Sequence, residues 1–426
     1  MLSRELRKYI KSGELDAILS ELYGEEKLSA SRSRYLDAVK EFEKLYGDDR
    51  EVSVFSIPGR SELSGNHTDH NGGKVIAASV DLDVLAVASA CAGSVIRVTS
   101  EGYDEDCVDF DVFDFPSEEN YGSSAAIIAG VVAGIKANGG RVGGFDAYTT
   151  SSVPAGSGLS SSAAFENTVG TVINHFYNGG NIDPVTVAKI SQYAENEFFG
   201  KPCGLMDQIA CSVGGVVAID FANAKNPIIE KISADALADF SLCIVSTGGS
   251  HADLTDDFAA VPAEMKSVAA HFNKKLLCEI SRDELVGEIN ELRAEVGDRA
   301  ILRALHFFDE NCRVDEAARA LKENNADEFL RLVIASGRSS FCYLQNVFST
   351  RSTREQGVSL ALCVAESILK DKRAAWRVHG GGFAGTIQAF VPTELTPIFR
   401  EKMDAVLGAG ACKILKIRNH GAEKII

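Results

Sequence analysis

The feature that most constrains this chain is Pro154-Ala-Gly-Ser-Gly-Leu-Ser-Ser-Ser-Ala163, a glycine- and hydroxyl-rich turn that runs straight into an apolar helix of small residues. Such a turn leaves backbone N–H groups unpaired at a helix N-terminus, where they and the helix dipole favour a phosphate. Gly156 and Gly158 allow close backbone approach, and Ser160, Ser161 and Ser162 offer three consecutive hydroxyls to phosphate oxygens or to a magnesium ion. No Gly-Lys-Ser/Thr follows, so the turn is not a Walker A loop, and it lacks the Rossmann fingerprint. A plain Gly/Ser connection before an ordinary capped helix competes with the phosphate reading, and the segment alone leaves both open.

Two other segments concentrate polar chemistry. Pro58-Gly-Arg-Ser-Glu-Leu-Ser-Gly-Asn-His-Thr-Asp-His-Asn-Gly-Gly73 follows a strand pattern and packs an Arg, a Glu, two His, an Asp and two Asn into one glycine-bounded loop. A loop that polar has no obvious role in a core. Arg60 could neutralise a transferring phosphoryl group, while Asn66, His67 and Asp69 could bind sugar hydroxyls. A solvated turn is the bland alternative, and a metal held by His67, Asp69 and His70 is another, although close spacing on one loop suits hydrogen bonding better. The third segment, Trp376-Arg-Val-His-Gly-Gly-Gly-Phe-Ala-Gly385, is either a tight strand connection or a second wall of the pocket the first two would form.

Composition narrows the partners. The net charge of -17 disfavours nucleic acid and anionic membranes, both of which need clustered positive charge. Ten cysteines without a C-x-x-C pair or metal-like spacing read as reduced thiols. The most apolar stretch, Val84 to Ile96, is interrupted by Gly93 and too short to span a bilayer, and the N-terminus lacks a signal-peptide core. A cytoplasmic protein is expected, a monomer or weak dimer acting on a small molecule.

With 426 residues the chain can build two cores. Short amphipathic helices fill residues 1–46, strand patterns begin at Glu51, and helical patterns cover 125–136, 162–177 and 184–199. FSLCIVST opens a second half with charged helices at 314–323 and 326–335, the strand TIQAFV and a helix near 395–407. Strands and helices mingle without regular alternation, which predicts an α+β fold. The domain change falls near 222–235, giving a helical extension over 1–46 and domains over 47–228 and 229–426.

Four motifs in order carry a specific resemblance: P-G-R-x-x-L-x-G-x-H-T-D-x-N-G-G, V-P-x-G-x-G-L-S-S-S-A, C-G-x-M-D-Q and G-G-G-F. The set resembles that of the galactokinases, within the GHMP small-molecule kinases, over roughly residues 35–426. The resemblance implies an ATP- and magnesium-dependent kinase of a galactose-type sugar, phosphorylating its anomeric hydroxyl. It also implies an α+β GHMP kinase fold with a ferredoxin-like C-terminal domain and the active site in the cleft. Gly156, Ser157, Gly158, Leu159, Ser160, Ser161 and Ser162 match the family's phosphate loop, and Ser162 and Glu195 its magnesium ligands. Asp207 matches the catalytic aspartate and Arg60 the catalytic arginine. Asn66, His67, Thr68, Asp69, Gly204 and Phe258 fall on sugar-binding positions.

The chain also departs from the family. After the arginine, where galactokinases typically carry Val-Asn-Leu-Ile-Gly-Glu-His, it has Ser61, Glu62, Leu63, Ser64, Gly65, Asn66 and His67. His70 and Phe258 replace two usual tyrosines, and Ala384 replaces a usual glycine. An amide at 66 in place of the glutamate that contacts the hydroxyl at the sixth carbon would weaken galactose binding and lift the repulsion of a uronate. Because the whole motif set favours the commonest member, galactose is still the first expectation, with galacturonate as the leading competitor and N-acetylgalactosamine or arabinose behind it. A noncatalytic sugar sensor on the same fold is the alternative of another class, against which the joint presence of Ser162 and Asp207 argues.

Overall fold

Two long neighbouring strands, β1 (Ser53–Ser64) and β2 (Lys74–Ala90), form the spine of the molecule. In β2 the side chains of Val84, Ala86 and Ala88 enter one core while Leu85 and Val87 enter another. That is the period-two geometry of a strand covered on both faces, and it explains why the run 74–90 carries so few polar residues.

The computed structural model describes residues 1–112, 116, 120–154, 156, 158–249 and 254–426. Further strands are β3 (Val95–Ser100), β4 (Glu105–Asp109), β5 (Phe145–Ser151), β6 (Val216–Asp220), β7 (Ile228–Ile232), β8 (Phe240–Ser246), β9 (Ala375–His379), β10 (Thr386–Pro392), β11 (Cys412–Leu415) and β12 (Glu423–Lys424). The first sheet runs β12-β1-β2-β5-β3-β4, with β6 paired to β2 and β7 to β6; the second runs β11-β8-β10-β9. Among the described residues only β3 and β5 pair in parallel. The α+β expectation holds. The chain past residue 228 also returns to the first sheet, because β12 pairs with β1.

Helices Ser124–Ala137, Ser161–Asn178 and Pro184–Tyr193 cover one face of the first sheet through Ile128, Val131, Val169, Val172, Ile173 and Ile190. Helices Asp298–Lys322 and Ala326–Ser339 bring Val314, Leu321, Phe329 and Val333 into a core shared with Leu63 and Ile76 of the first sheet and Leu242 and Ile244 of the second. The two sheets are thereby joined through a common apolar layer. No helix among the described residues is long and apolar enough to cross a membrane.

The N-terminal helices Ser3–Lys11, Asp16–Tyr23 and Leu28–Tyr46 pack on the outer face of β1 and β2 through Leu19, Leu22, Val39 and Phe42. Beneath them the fully buried Asp83 accepts hydrogen bonds from Tyr23, Ser56 and Arg34, with Arg418 3.6 Å away. Arg34 also reaches the Asp83 and Thr150 carbonyls at 3.1 Å, and Arg418 donates to the Ser56 hydroxyl at 2.8 Å. One carboxylate thus ties the first helices, two strands and the chain's last segment together.

Burial would raise the Asp83 carboxyl, but Arg34 and Arg418 hold it below its ordinary value. Unfolding restores that value, about 3.9, so this stabilisation is present above about pH 4 and is lost as pH falls through the lower folded-state value. Asp83→Ala leaves two arginines uncompensated and is expected to cost about 3–5 kcal/mol in urea unfolding at pH 7. The gap to the native protein should narrow in acid; an unchanged midpoint at pH 7 contradicts the assignment.

Candidate active site

Arg60 sits where β1 is irregular, with register shifts between Pro58 and Arg60 and between Glu62 and Ser64. Such bulges re-aim side chains. Gly59 lets the glycine-rich turn lie against the strand, since a Cβ there would meet the Leu159 carbonyl at 2.8 Å. The Arg60 N–H donates to that same carbonyl at 3.1 Å. Its guanidinium donates to the Gly158 carbonyl and, from Nε at 2.7 Å, to Asp207 Oδ1. Asp207 opens the helix Met206–Val213, and its Oδ2 accepts from the Ser160 hydroxyl. Arg60 is 8% exposed and Asp207 32%, so the carboxylate faces the cleft from a buried cationic support.

Gly156, Gly158 and Ser160 all have positive φ, which leads the turn into the helix Ser161–Asn178 with no side chain capping its N-terminus. Uncapped N–H groups beside the Arg60–Asp207 pair make an anion cradle. Ser157 lies outside the described residues. The Ser162 hydroxyl lies 3.4 Å from Glu195 Oε1, and Glu195 stands in a π-helical turn, Ala194–Phe198, continuing the helix that begins at Pro184. Glu195 also takes Lys201 Nζ at 2.8 Å and Gln208 Nε2 at 2.9 Å. Gln208 Nε2 bridges to Glu166 at 3.0 Å, and burial, with Glu195 second, raises the Glu166 carboxyl. Glu166 Oε1 is buried without a partner among the described residues.

The loop after β1 is held by its own side chains. The Thr68 hydroxyl bonds the Gly65 and Lys74 carbonyls at 2.9 and 2.6 Å. His67 sits at φ 60 and donates from Nε2 to the Gly381 carbonyl at 2.9 Å. Its Nδ1 then accepts from His70 Nε2 at 3.2 Å, whose Nδ1 accepts from Asn71 Nδ2 at 2.9 Å. Burial lowers both imidazoles, in keeping with this neutral chain of tautomers. Asn66 is fully buried: Nδ2 donates to the Gly380 carbonyl at 2.7 Å and to Glu62 at 3.3 Å, while Oδ1 accepts from Asn346 at 2.9 Å and Ser340 at 3.3 Å.

The third segment docks directly on this loop through Gly380 and Gly381. Phe258 packs edge-on against Phe383, ring centres 5.4 Å apart, and touches the space where a Gly381 side chain would sit. Asp69 faces Gly204 so closely that a Cβ there would strike its carboxylate. Burial first, then Glu62 and Asp207, raise the Asp69 carboxyl to about 6.

The structure therefore brings Arg60, Asp207 and Ser160 into direct contact, with Ser162 beside Glu195 and Asp69 against Gly204, at one site. Asn66 and Thr68 are beside it, yet their polar atoms are committed to the protein. Sequence reasoning missed Glu62, which donates nothing but accepts from the buried Arg377 at 2.6 Å, and the Ser160–Asp207 contact. A charge two residues from Arg60 on the same strand was the available signal for Glu62. A cavity of about 1200 Å³ lined by Lys27, Asp81 and Lys416 lies elsewhere and includes none of these groups.

Comparison with known proteins agrees with this geometry. The family described as GHMP kinases N terminal domain matches residues 126–215, and the galactokinase galactose-binding signature matches residues 40–90. A galactokinase of Clostridium tetani (strain Massachusetts / E88) is 30% identical over 374 residues, covering 85% of this chain and 90% of that one. A galactokinase of Lactobacillus helveticus is 29% identical over 377 residues, covering 87% and 93%. The crystal structure of Lactococcus lactis galactokinase complexed with galactose superposes with a TM-score of 0.77 at 25% identity, covering 92% of this chain and all of that one. A mevalonate kinase shares the fold at a TM-score of 0.61 and 16% identity, covering 86% and 99%. The chain belongs to the galactokinase family of GHMP kinases, and is a galactokinase-like sugar kinase that uses ATP.

Proposed function

We propose that this protein transfers the γ-phosphoryl group of ATP, taken with magnesium, to the anomeric hydroxyl of galactose. The observation that carries the reading is the Arg60–Asp207–Ser160 constellation beside an uncapped helix N-terminus. Phosphoryl transfer needs positioning and charge stabilisation more than covalent help from the protein. Asp207, fixed on two sides, orients the sugar hydroxyl and takes its proton as the new O–P bond forms and ADP leaves. Arg60 offsets charge on the phosphoryl oxygens, while the turn 156–162 cradles the phosphates.

A hydroxyl and a carboxylate at Ser162 and Glu195 suit magnesium, which takes one or two carboxylates and fills its remaining positions with phosphate oxygens and water. The unpartnered Glu166 Oε1 nearby adds a further buried acceptor. When bound, the ion would supply positive charge to the transferring phosphates. Asp69 and Gly204 border the sugar, with Phe258 as an apolar wall, and His67 and Thr68 hold the loop in shape. Ten cysteines without a C-x-x-C pair or metal-like spacing support a reducing, cytoplasmic setting.

Asp207→Asn should lower kcat about 10²- to 10⁴-fold in an ADP-release assay with galactose while leaving ATP binding intact. Undiminished turnover removes Asp207 from the mechanism, and silence of the native protein toward galactose, N-acetylgalactosamine, galacturonate and arabinose removes the kinase proposal. Asp69 should give the pH profile its acid limb: as an acceptor it works deprotonated, so kcat/KM for the sugar rises as pH increases through about 6. Asp69→Asn should erase that limb, and a native profile flat across pH 5–7 counts against the role. Gly204→Ala pushes the Asp69 carboxylate aside and should raise the sugar KM about 10-fold with the ATP KM unchanged.

A further inference from the structure

Glu62 is the acidic group of the cleft that has no role so far. It lies two residues after Arg60 in an unbroken stretch of register, Arg60 opposite Ser79 and Glu62 opposite Ala77, so both side chains leave β1 on the same face. That face looks toward the helix carrying Asp207, since Ala77 shares an apolar cluster with Met206 and Ile209. Only 4% of Glu62 is exposed. Its Oε1 accepts from Arg377 at 2.6 Å and from Asn66 at 3.3 Å, whereas Oε2 accepts no hydrogen bond among the described residues. Glu62 is also the leading charged neighbour of Asp69, the carboxylate that borders Gly204.

A carboxylate buried this deeply needs its remaining lone pairs satisfied. Arg377, itself buried, fixes one oxygen and leaves the other without a donor among the described residues, open to a ligand that brings one. A sugar hydroxyl is such a donor, and a charged acceptor gives it a strong, directional bond. Asn66 cannot do this work, because every polar atom of its side chain is engaged by Gly380, Glu62, Asn346 and Ser340. In this sequence the acid stands at 62 and the amide at 66.

We propose that Glu62 is the specificity-determining carboxylate of the sugar pocket, accepting a hydrogen bond from a substrate hydroxyl through Oε2, and that Asn66 does not touch the sugar. The inference rests on the sugar-kinase reading of this cleft and deepens it. One consequence corrects the expectation attached to Asn66: the pocket still presents Glu62, Asp69 and Asp207 to an incoming sugar, so a uronate is repelled.

Two measurements test the proposal. In Glu62→Gln the KM for galactose should rise about 10- to 100-fold, with kcat within about threefold and the ATP KM unchanged. Across a panel of monodeoxygalactoses, that penalty should vanish for the one sugar lacking the hydroxyl Glu62 receives. An equal penalty for every sugar in the panel means that Glu62 acts only by supporting Arg377, and overturns the proposal, as does an unchanged KM. The second measurement needs no variant and decides the matter if Glu62→Gln fails to fold. The native protein should prefer galactose over galacturonate by at least about 100-fold in kcat/KM, and equal or better use of galacturonate overturns the proposal. A native protein that turns over galactose yet ignores the Glu62 substitution removes this inference alone. One that turns over no hexose removes the proposed function, and the inference with it.

Discussion

The contact between Arg60 and Asp207 organises the site. It joins the second half of a central strand to the first turn of a helix 147 residues away in sequence. The same guanidinium holds the Gly158 carbonyl, and the same carboxylate holds Ser160, so the phosphate turn is clamped from both sides. A buried guanidinium is costly unless paired, and a glycine-rich turn is costly to order. Each offsets the other here: the turn's carbonyl and the carboxylate satisfy the arginine, and the arginine fixes the turn. Charged groups placed this way need little reorganisation when a ligand arrives, which is the condition for electrostatic stabilisation of a phosphoryl group.

Around that clamp the two sheets divide the labour. The first supplies Arg60, Glu62 and the polar loop, while the second supplies Arg377, His379 and the glycine turn that closes on the loop. His379, neutral by burial, bridges Ser61 and Thr386 at 3.1 and 2.9 Å, and Gln388 reaches the Ser61 hydroxyl at 2.8 Å and the Glu62 carbonyl at 2.9 Å. This dense seam of side-chain hydrogen bonds lies directly against the strand that carries Arg60 and Glu62. Precision at the cleft therefore depends on groups that never meet the substrate.

Much of this was legible in the sequence. Arg60, Ser162, Glu195 and Asp207 sit in short motifs whose chemistry is local: glycines that bend, hydroxyls in a row, a carboxylate at a helix start. Strand and helix patterns that mingle without regular alternation pointed to the α+β class. What the sequence could not display was the direction of polar side chains whose partners lie far along the chain. Asn66 looked like a ligand because it stood in a polar loop, and only Asn346, Ser340 and Gly380 reveal that its amide is used up. Glu62 was one polar residue among several in that loop, and its partner Arg377 lies 315 residues on. The pairing of β12 with β1 and the Asp83 cluster are hidden for the same reason.

The central claim is that this cleft moves a phosphoryl group onto the anomeric oxygen of a galactose-type sugar. The most direct measurement is phosphorus NMR of the reaction of the native protein with Mg-ATP and galactose. The account predicts one new phosphomonoester resonance, coupled to the anomeric proton and growing in step with ADP. Phosphate on any other hydroxyl, or release of inorganic phosphate and ADP without a sugar phosphate, would contradict it.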